Sequence, residues 1–142
     1  MITIYADGSC SPNPGIGGWG CVLMMGEHYK EIYGCGTGTD TNNQMELLAV
    51  IKGLEILTTK LHPIVVKTDS GYVVNIFTKW IKGWRKKNFR GVKNVELIQQ
   101  LDKLVQSFDK VEFVWVKGHD TDEFNNRADE LANYGRTLYL PN

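Results

Sequence analysis

No stretch of this sequence approaches the roughly 20 consecutive apolar residues that a bilayer-crossing helix requires, so no membrane partner is expected. Cysteine is scarce. Cys10, Cys21 and Cys35 are an odd number and form no C-x-x-C pair. That disfavours both a disulfide framework and a sulfur-ligated metal, and the thiols read as reduced. Net charge is nil, with 16 Lys and Arg against 16 Asp and Glu. Global electrostatics therefore give no hint of a polyanionic partner, and any hint must come from how the charges are distributed. Internal repeats, low-complexity tracts and linkers are missing too. One domain spanning residues 1–142 is expected, large enough to bury roughly two-thirds of its unfolded surface. Nothing calls for more than a monomer. The first strand opens at Ile2, which leaves no room for a secretion signal, and a cytoplasmic location is expected.

Periodicity supplies the elements. Ile2, Ile4 and Ala6 alternate with Thr3, Tyr5 and Asp7, a strand pattern that ends on a carboxylate. Gly8 and Ser9 follow, and the Pro- and Gly-rich run behind them reads as loop. Trp19 to Met25 is an apolar strand, Gly26 a turn, and Tyr29 to Tyr33 the returning strand. Links this short predict an antiparallel meander. Gly34 to Asp40 reads as loop. Thr41-Asn42-Asn43-Gln44 has the shape of a capping box, and Met45, Leu47, Leu48, Ile51 and Leu54 recur at helical spacing behind it. Glu46 falls in the first two turns of that helix, off the centre of its apolar stripe.

His62-Pro63 breaks the chain. Ile64 to Asp69 is a β-branched strand that again ends on aspartate, with Ser70 as an N-cap behind it. Val73, Ile76, Phe77, Trp80, Ile81 and Trp84 then mark an amphipathic helix. Asn94 is placed to cap a helix whose buried face holds Leu97, Ile98, Leu101, Leu104, Val105 and Phe108. Val111, Phe113 and Trp115 alternate with polar or smaller neighbours in a fifth strand. After the polar run Thr121 to Asn126, a last helix carries Ala128, Leu131, Ala132, Gly135 and Leu138. The order βββαβααβα predicts an α/β fold, a mixed five-stranded sheet with helices on its faces.

Two strands thus end on aspartates, Asp7 and Asp69. In open α/β sheets, sites form at the carboxyl ends of strands. If the two strands are parallel neighbours, the carboxylates stand side by side, and a cation between them relieves their repulsion. An all-oxygen ligand set suits Mg²⁺ or Mn²⁺ better than zinc. Glu46 and Asp129 are candidate further ligands, each placed near a helix N-terminus. Taken singly, each acid reads first as a turn, a cap or a response to the helix dipole, and only second as a ligand. Spacing alone does not bring the four together.

Five ordered blocks resemble ribonuclease H of the type 1, bacterial kind. They are Asp7-Gly8-Ser9-Cys10 with Asn13-Pro14-Gly15; Thr41 to Leu47; Thr68-Asp69-Ser70; Val114 to His119; and Asn125 with Ala128 to Ala132. The resemblance covers nearly the whole chain and implies the ribonuclease H-like fold. It also implies that Asp7, Glu46, Asp69 and Asp129 are catalytic metal ligands for Mg²⁺, with Mn²⁺ able to substitute. The implied reaction is endonucleolytic cleavage of the RNA strand of an RNA–DNA hybrid, leaving 5′-phosphate and 3′-hydroxyl ends. His119 would assist proton transfer or product departure from a loop beside the site, with acids from Asp120 to Glu123 next to it. The Cys10 to Asn13 loop, Asn42, Gln44 and the Glu46 side chain are candidates to read the RNA 2′-hydroxyls, and the resemblance adds Asn125 to the substrate-binding residues. Asn13 and Thr41 match two positions of a DNA-phosphate pocket. Thr39 stands where a basic residue often precedes that threonine, and Gly71 where many relatives carry glutamine.

Charge is concentrated in one place. Lys79 to Lys93 holds seven of the 16 cations and no acid, interleaved with Trp80, Trp84 and Phe89. Such a block can neutralise phosphates, and tryptophan can lie against sugars or bases. It also reads as a solvated helix end with both tryptophans in the apolar stripe. The resemblance implies a grip on the DNA strand, with Lys86, Lys87, Trp80 and Trp84 as its contacts. Two other readings stay open: a catalytically silent nucleic-acid-binding module, and a DNA-directed nuclease of the same fold.

Overall fold

The computed structural model describes residues 1–119 and 121–141. The sheet is built from β1 (Ile2–Cys10), β2 (Gly17–Met25), β3 (His28–Cys35), β4 (Ile64–Thr68) and β5 (Val111–Trp115). Its strand order is β3-β2-β1-β4-β5. The first three strands pair antiparallel as a meander, and β4 and β5 add in parallel on the other side of β1. The expected mixed five-stranded α/β fold is therefore present.

Helix α1 (Asn42–Glu55) starts where the capping box predicts. The Thr41 hydroxyl accepts from Gln44 N, and Gln44 Oε1 accepts from Thr41 N at 3.1 Å. α2 runs in three segments, Gly71–Asn75, a π segment Ile76–Trp80, and Ile81–Lys86, with Ser70 as its cap. α3 is Val95–Gln106 and α4 is Glu123–Arg136. The larger core lies on one face of the sheet, where Ile2, Ile4, Ala6 and Val66 meet Leu47, Ile51, Val73, Ile98 and Leu101. A smaller core on the other face joins Tyr5 and Val22 to Ala128 and Leu131 of α4. The alternation of side chains along β1 feeds both.

Several local expectations are corrected. β1 does not stop at Asp7 but continues to Cys10, because Asp7, Gly8, Ser9 and Cys10 still pair with Gly20, Trp19, Gly18 and Gly17 of β2. β3 likewise extends through Gly34 and Cys35. The last helix starts inside the polar run Thr121 to Asn126. Asp122 caps α4 by accepting from Phe124 N at 3.0 Å and Asn125 N at 3.2 Å, so the helix begins at Glu123. Asn94 holds the N-cap position of α3 in a left-handed conformation, but its side chain makes no cap bond. It spans α1 and α2 instead, accepting from Gln44 Nε2 at 3.3 Å and donating to the Tyr72 hydroxyl at 3.1 Å. Trp115, in phase with the buried Phe113 along β5, is nevertheless 54% exposed. Phe77 stacks on Phe113 at 4.6 Å, but β5 is the sheet edge and the next position on that face is open.

Asp40 fastens the loop between β3 and α1. Its buried carboxylate accepts from Gly17 N (3.1 Å), Thr37 N (3.0 Å), Thr37 Oγ1 (2.9 Å) and Gly38 N (3.0 Å). Burial acts to raise its pKa, but the donors from Thr37, Gly38 and Gly17 outweigh it and hold the carboxyl below the ordinary range. Its contribution to stability is thus intact above the ordinary carboxylate range and is lost as pH falls through the lowered folded value. Asp40→Ala leaves the buried Gly17 N–H without its acceptor. Urea melts at pH 7 should show a loss of about 2–4 kcal/mol, shrinking as the buffer is made more acid.

Candidate active site

The register of β1 against β4 assembles the site. Tyr5 lies opposite Lys67. Two residues further along each strand stand Asp7 and Asp69. β4 has ended at Thr68, whereas β1 continues with β2 alone on its flank. Asp7 therefore sits at the mouth opened where one neighbour stops, the position at which ligands bind in open α/β sheets.

Glu46 arrives from α1. Its Oε1 accepts from Gly8 N at 2.5 Å. A Cβ on Gly8 would lie 2.3 Å from Glu46 N and 2.3 Å from the Met45 carbonyl carbon, so only glycine lets the helix backbone come this close to the strand. Asp7, Glu46 and Asp69 each offer a carboxylate oxygen, and the three atoms lie within 4.8 Å of one another. Asp7 is buried, at 4% exposure, and the other two are half-buried. Asp129 reaches in from α4 and is hydrogen-bonded to Asp7, outside the mutual trio. It is the seventh residue of its helix, further from the N-terminus than expected.

Three acids this close repel one another. Asp7 is pushed far above the carboxylate range, first by burial and then by Glu46, Asp69 and Asp129. Glu46 is also raised, by burial and then by Asp69, with the hydrogen bonds of Asp7 and Gly8 opposing. A hard divalent cation is the natural counter-charge for this all-oxygen set.

The expected His119 lies on the segment after β5, exposed and with φ of 53°. That segment passes over Asp69: a Cβ at Gly118 would come 2.7 Å from Asp69 Oδ2. Asp120, expected beside His119, lies outside the described residues. Sequence reasoning missed a second tie. Trp115 Nε1 donates to the Asp69 carbonyl at 3.1 Å, so its exposed indole braces the backbone of a site residue. The period-two pattern marks Trp115 as a core residue and conceals this use.

The structure separates the expected substrate contacts. The Cys10 thiol turns inward and donates to the Asp40 carbonyl at 3.1 Å, because β1 continues through it and faces it to the core. Asn125 is 2% exposed and its Nδ2 reaches the Lys117 carbonyl at 3.5 Å, so it lies beneath the His119 segment and not on the surface. Gln44 is committed to Thr41 and Asn94. Asn13, Thr41 and Asn42 do come together at the start of α1, where Asn13 Oδ1 accepts from Asn42 N at 3.1 Å. Lys86 and Lys87 are exposed at the end of α2. The π segment alters the helical register, so Ile76 and Ile81 are buried while Trp80 is 40% exposed. Trp84 is half-buried, with its ring 5.7 Å from that of Trp80. Arg85, in the same basic block, is paired bidentately with the buried Asp102 and is not free for a phosphate.

Comparison with known proteins places this arrangement. The family pattern described as RNase H matches residues 1–137. A Ribonuclease H from Janthinobacterium sp. (strain Marseille) is 49% identical over 139 residues, covering 94% of this chain and 94% of that protein. Two solved structures are similar at 26% identity. One is LC9-RNase H1, described as a type 1 RNase H with the type 2 active-site motif; its TM-score is 0.85, over 96% of this chain and 72% of that one. The other is LC11-RNase H1 in complex with an RNA/DNA hybrid; its TM-score is 0.69, over 96% and 97%.

The raised carboxyl at Asp7 has a consequence for stability. The native state keeps a proton that the unfolded chain gives up near pH 4, so stability falls as pH rises from there toward the raised folded value. Asp7→Asn removes that penalty. In EDTA at pH 7.5 the variant should melt about 3–6 °C above the unaltered protein, and the gap should close as the pH approaches 4. A lower melting temperature for the variant at pH 7.5 would contradict this electrostatic account.

Proposed function

We propose, from the premise that the chain belongs to the ribonuclease H family, that Asp7, Glu46, Asp69 and Asp129 are its metal ligands and Mg²⁺ its working ion, with Mn²⁺ as a substitute. The activity is that of a ribonuclease H: endonucleolytic hydrolysis of the RNA strand of RNA–DNA hybrids, giving 5′-phosphate and 3′-hydroxyl ends. The observation that carries the site assignment is the trio of carboxylate oxygens within 4.8 Å of one another. The donor set fits a hard divalent ion, and it explains why burial of repelling acids is tolerated. Divalent ions bound there would acidify the attacking water and offset charge on the leaving 3′-oxygen.

The residues of the chain do the rest. Gly8 N–H fixes the Glu46 carboxylate. Trp115 fixes the backbone of Asp69. His119 is exposed over the site and is suited to take or deliver a proton as product leaves. Asn13, Thr41 and Asn42, gathered at the N-terminus of α1, hold a phosphate of the DNA strand. Lys86 and Lys87, with the exposed face of Trp80, grip that strand further along. Trp84 supports the Trp80 ring. No helix among the described residues is long and apolar enough to cross a membrane. A single domain acting as a cytoplasmic monomer accords with these features.

The strand test decides the function. With magnesium, a labelled RNA–DNA hybrid should be cut in its RNA strand while double-stranded RNA and double-stranded DNA in the same buffer stay intact. Asp7→Asn and Asp69→Asn should each lower kcat by more than about 10³-fold and still bind hybrid. Wild-type-like cleavage by either variant would refute the site. Replacing Lys86 and Lys87 by Ala should raise KM and make the dependence of log KM on log salt shallower by about 1.5. An unchanged slope removes that segment from the interface.

A further inference from the structure

We propose that Arg136, oriented by Asn133, binds a backbone phosphate of the RNA strand further along the β1–α4 seam from the metal centre; this rests on the reading of the site given above. β1 and α4 meet along one seam. Asp7 and Asp129 touch at its first level. Ser9 is two residues beyond Asp7 and on the same side of the strand, and Asn133 is one helical turn beyond Asp129. They touch at the next level, where Ser9 Oγ donates to Asn133 Oδ1 at 2.8 Å. Two strand residues or four helical residues advance about 6 Å, close to one nucleotide along a strand. Arg136, three residues further on, stands at the end of this polar seam.

Its chemistry there is unusual. Arg136 Nη2 donates to the same Asn133 oxygen at 3.2 Å. Its Nε is buried and has no hydrogen-bond partner among the described residues. Its stem packs on Gly18, where a Cβ would come 2.9 Å from Arg136 Cγ. Among the described residues no carboxylate lies within ion-pair distance of it. Arg85 and Arg127 differ, being paired with Asp102 and with Glu31 and Glu130. The guanidinium of this half-buried arginine, aimed by an amide and without a counter-charge among the described residues, is an incomplete pair. A phosphate of the strand crossing the metal centre completes it. The basic block on α2 is separate in sequence and fold, and Arg136 would act on the cleaved strand.

The test is steady-state kinetics on an RNA–DNA hybrid in magnesium at several salt concentrations. Arg136→Gln keeps the stem over Gly18 and removes the charge. It should raise KM about 3–10-fold with kcat within about twofold, and flatten log KM against log salt by about 0.8. Arg136→Lys should restore the salt slope while recovering only part of the KM. Asn133→Ala should raise KM with the slope retained, since the charge remains. A purely structural role would lower the melting temperature and leave the slope untouched, and that result overturns the proposal. If the unaltered protein cleaves the hybrid and Arg136→Gln matches it in KM and slope, this inference alone falls. If the unaltered protein leaves the hybrid intact, the reading of the site falls with it.

Discussion

Mutual repulsion among crowded, largely desolvated carboxyl groups is the constraint around which the molecule is built. Asp7, Glu46 and Asp69 are held within 4.8 Å by three separate elements. Left to themselves these groups would separate or fill with water. They cannot, because β1 and β4 are locked in parallel register and α1 is seated on β1 at Gly8. The cost appears in the carboxyls of Asp7 and Glu46, raised first by burial and then by the neighbouring acids. Stability is thus set against a site ready for divalent ions, the usual conflict between a strained functional centre and the fold that carries it.

Much of the polar chemistry near that centre is spent on holding it. Asp40 gathers four donors and ties the approach to α1 against β2. Gln44 and Asn94 link α1, α2 and α3. Trp115 and Asn125 secure the backbone at Asp69 and Lys117. What is left for a ligand is sorted onto separate surfaces. The carboxylates lie at the mouth of the sheet, Asn13 and Asn42 at the start of α1, and the exposed lysines at the end of α2. Arg136 lies at the far end of the β1–α4 seam. This division matches a substrate with two chemically different strands, where position along each must be set relative to one reacting phosphate.

Local chemistry made a good part of this legible before any coordinates. The capping box at Thr41 placed the start of α1, and Ser70 placed the start of α2, because side-chain caps act within a few residues. Alternation marked β1 and β5, apolar and β-branched runs marked β2 and β4, and short links identified the antiparallel meander with β3 as its returning strand. Errors fell where a distant partner overrides the local signal. β1 outlasts Asp7 because the glycines of β2 keep pairing with it. Asn94 and Trp115 carry ordinary cap and core signatures but are recruited by Tyr72 and by the Asp69 carbonyl. The π segment shifts Trp80 outward, which a fixed helical period does not anticipate.

Residue order alone determined which side chains are present, the βββαβααβα sequence of elements and that acids are carried by β1 and directly behind β4, since all of these follow from near neighbours. Only the packed fold decided which acids meet, that Cys10 and Asn125 turn inward, that Arg85 is consumed by Asp102, and that Arg136 has no counter-charge among the described residues. Those outcomes depend on strand register and helix placement between residues tens of positions apart. Such distances through the chain leave no periodic trace, because pairing across the sheet is fixed by the shape and charge of the partner and not by the residues alongside.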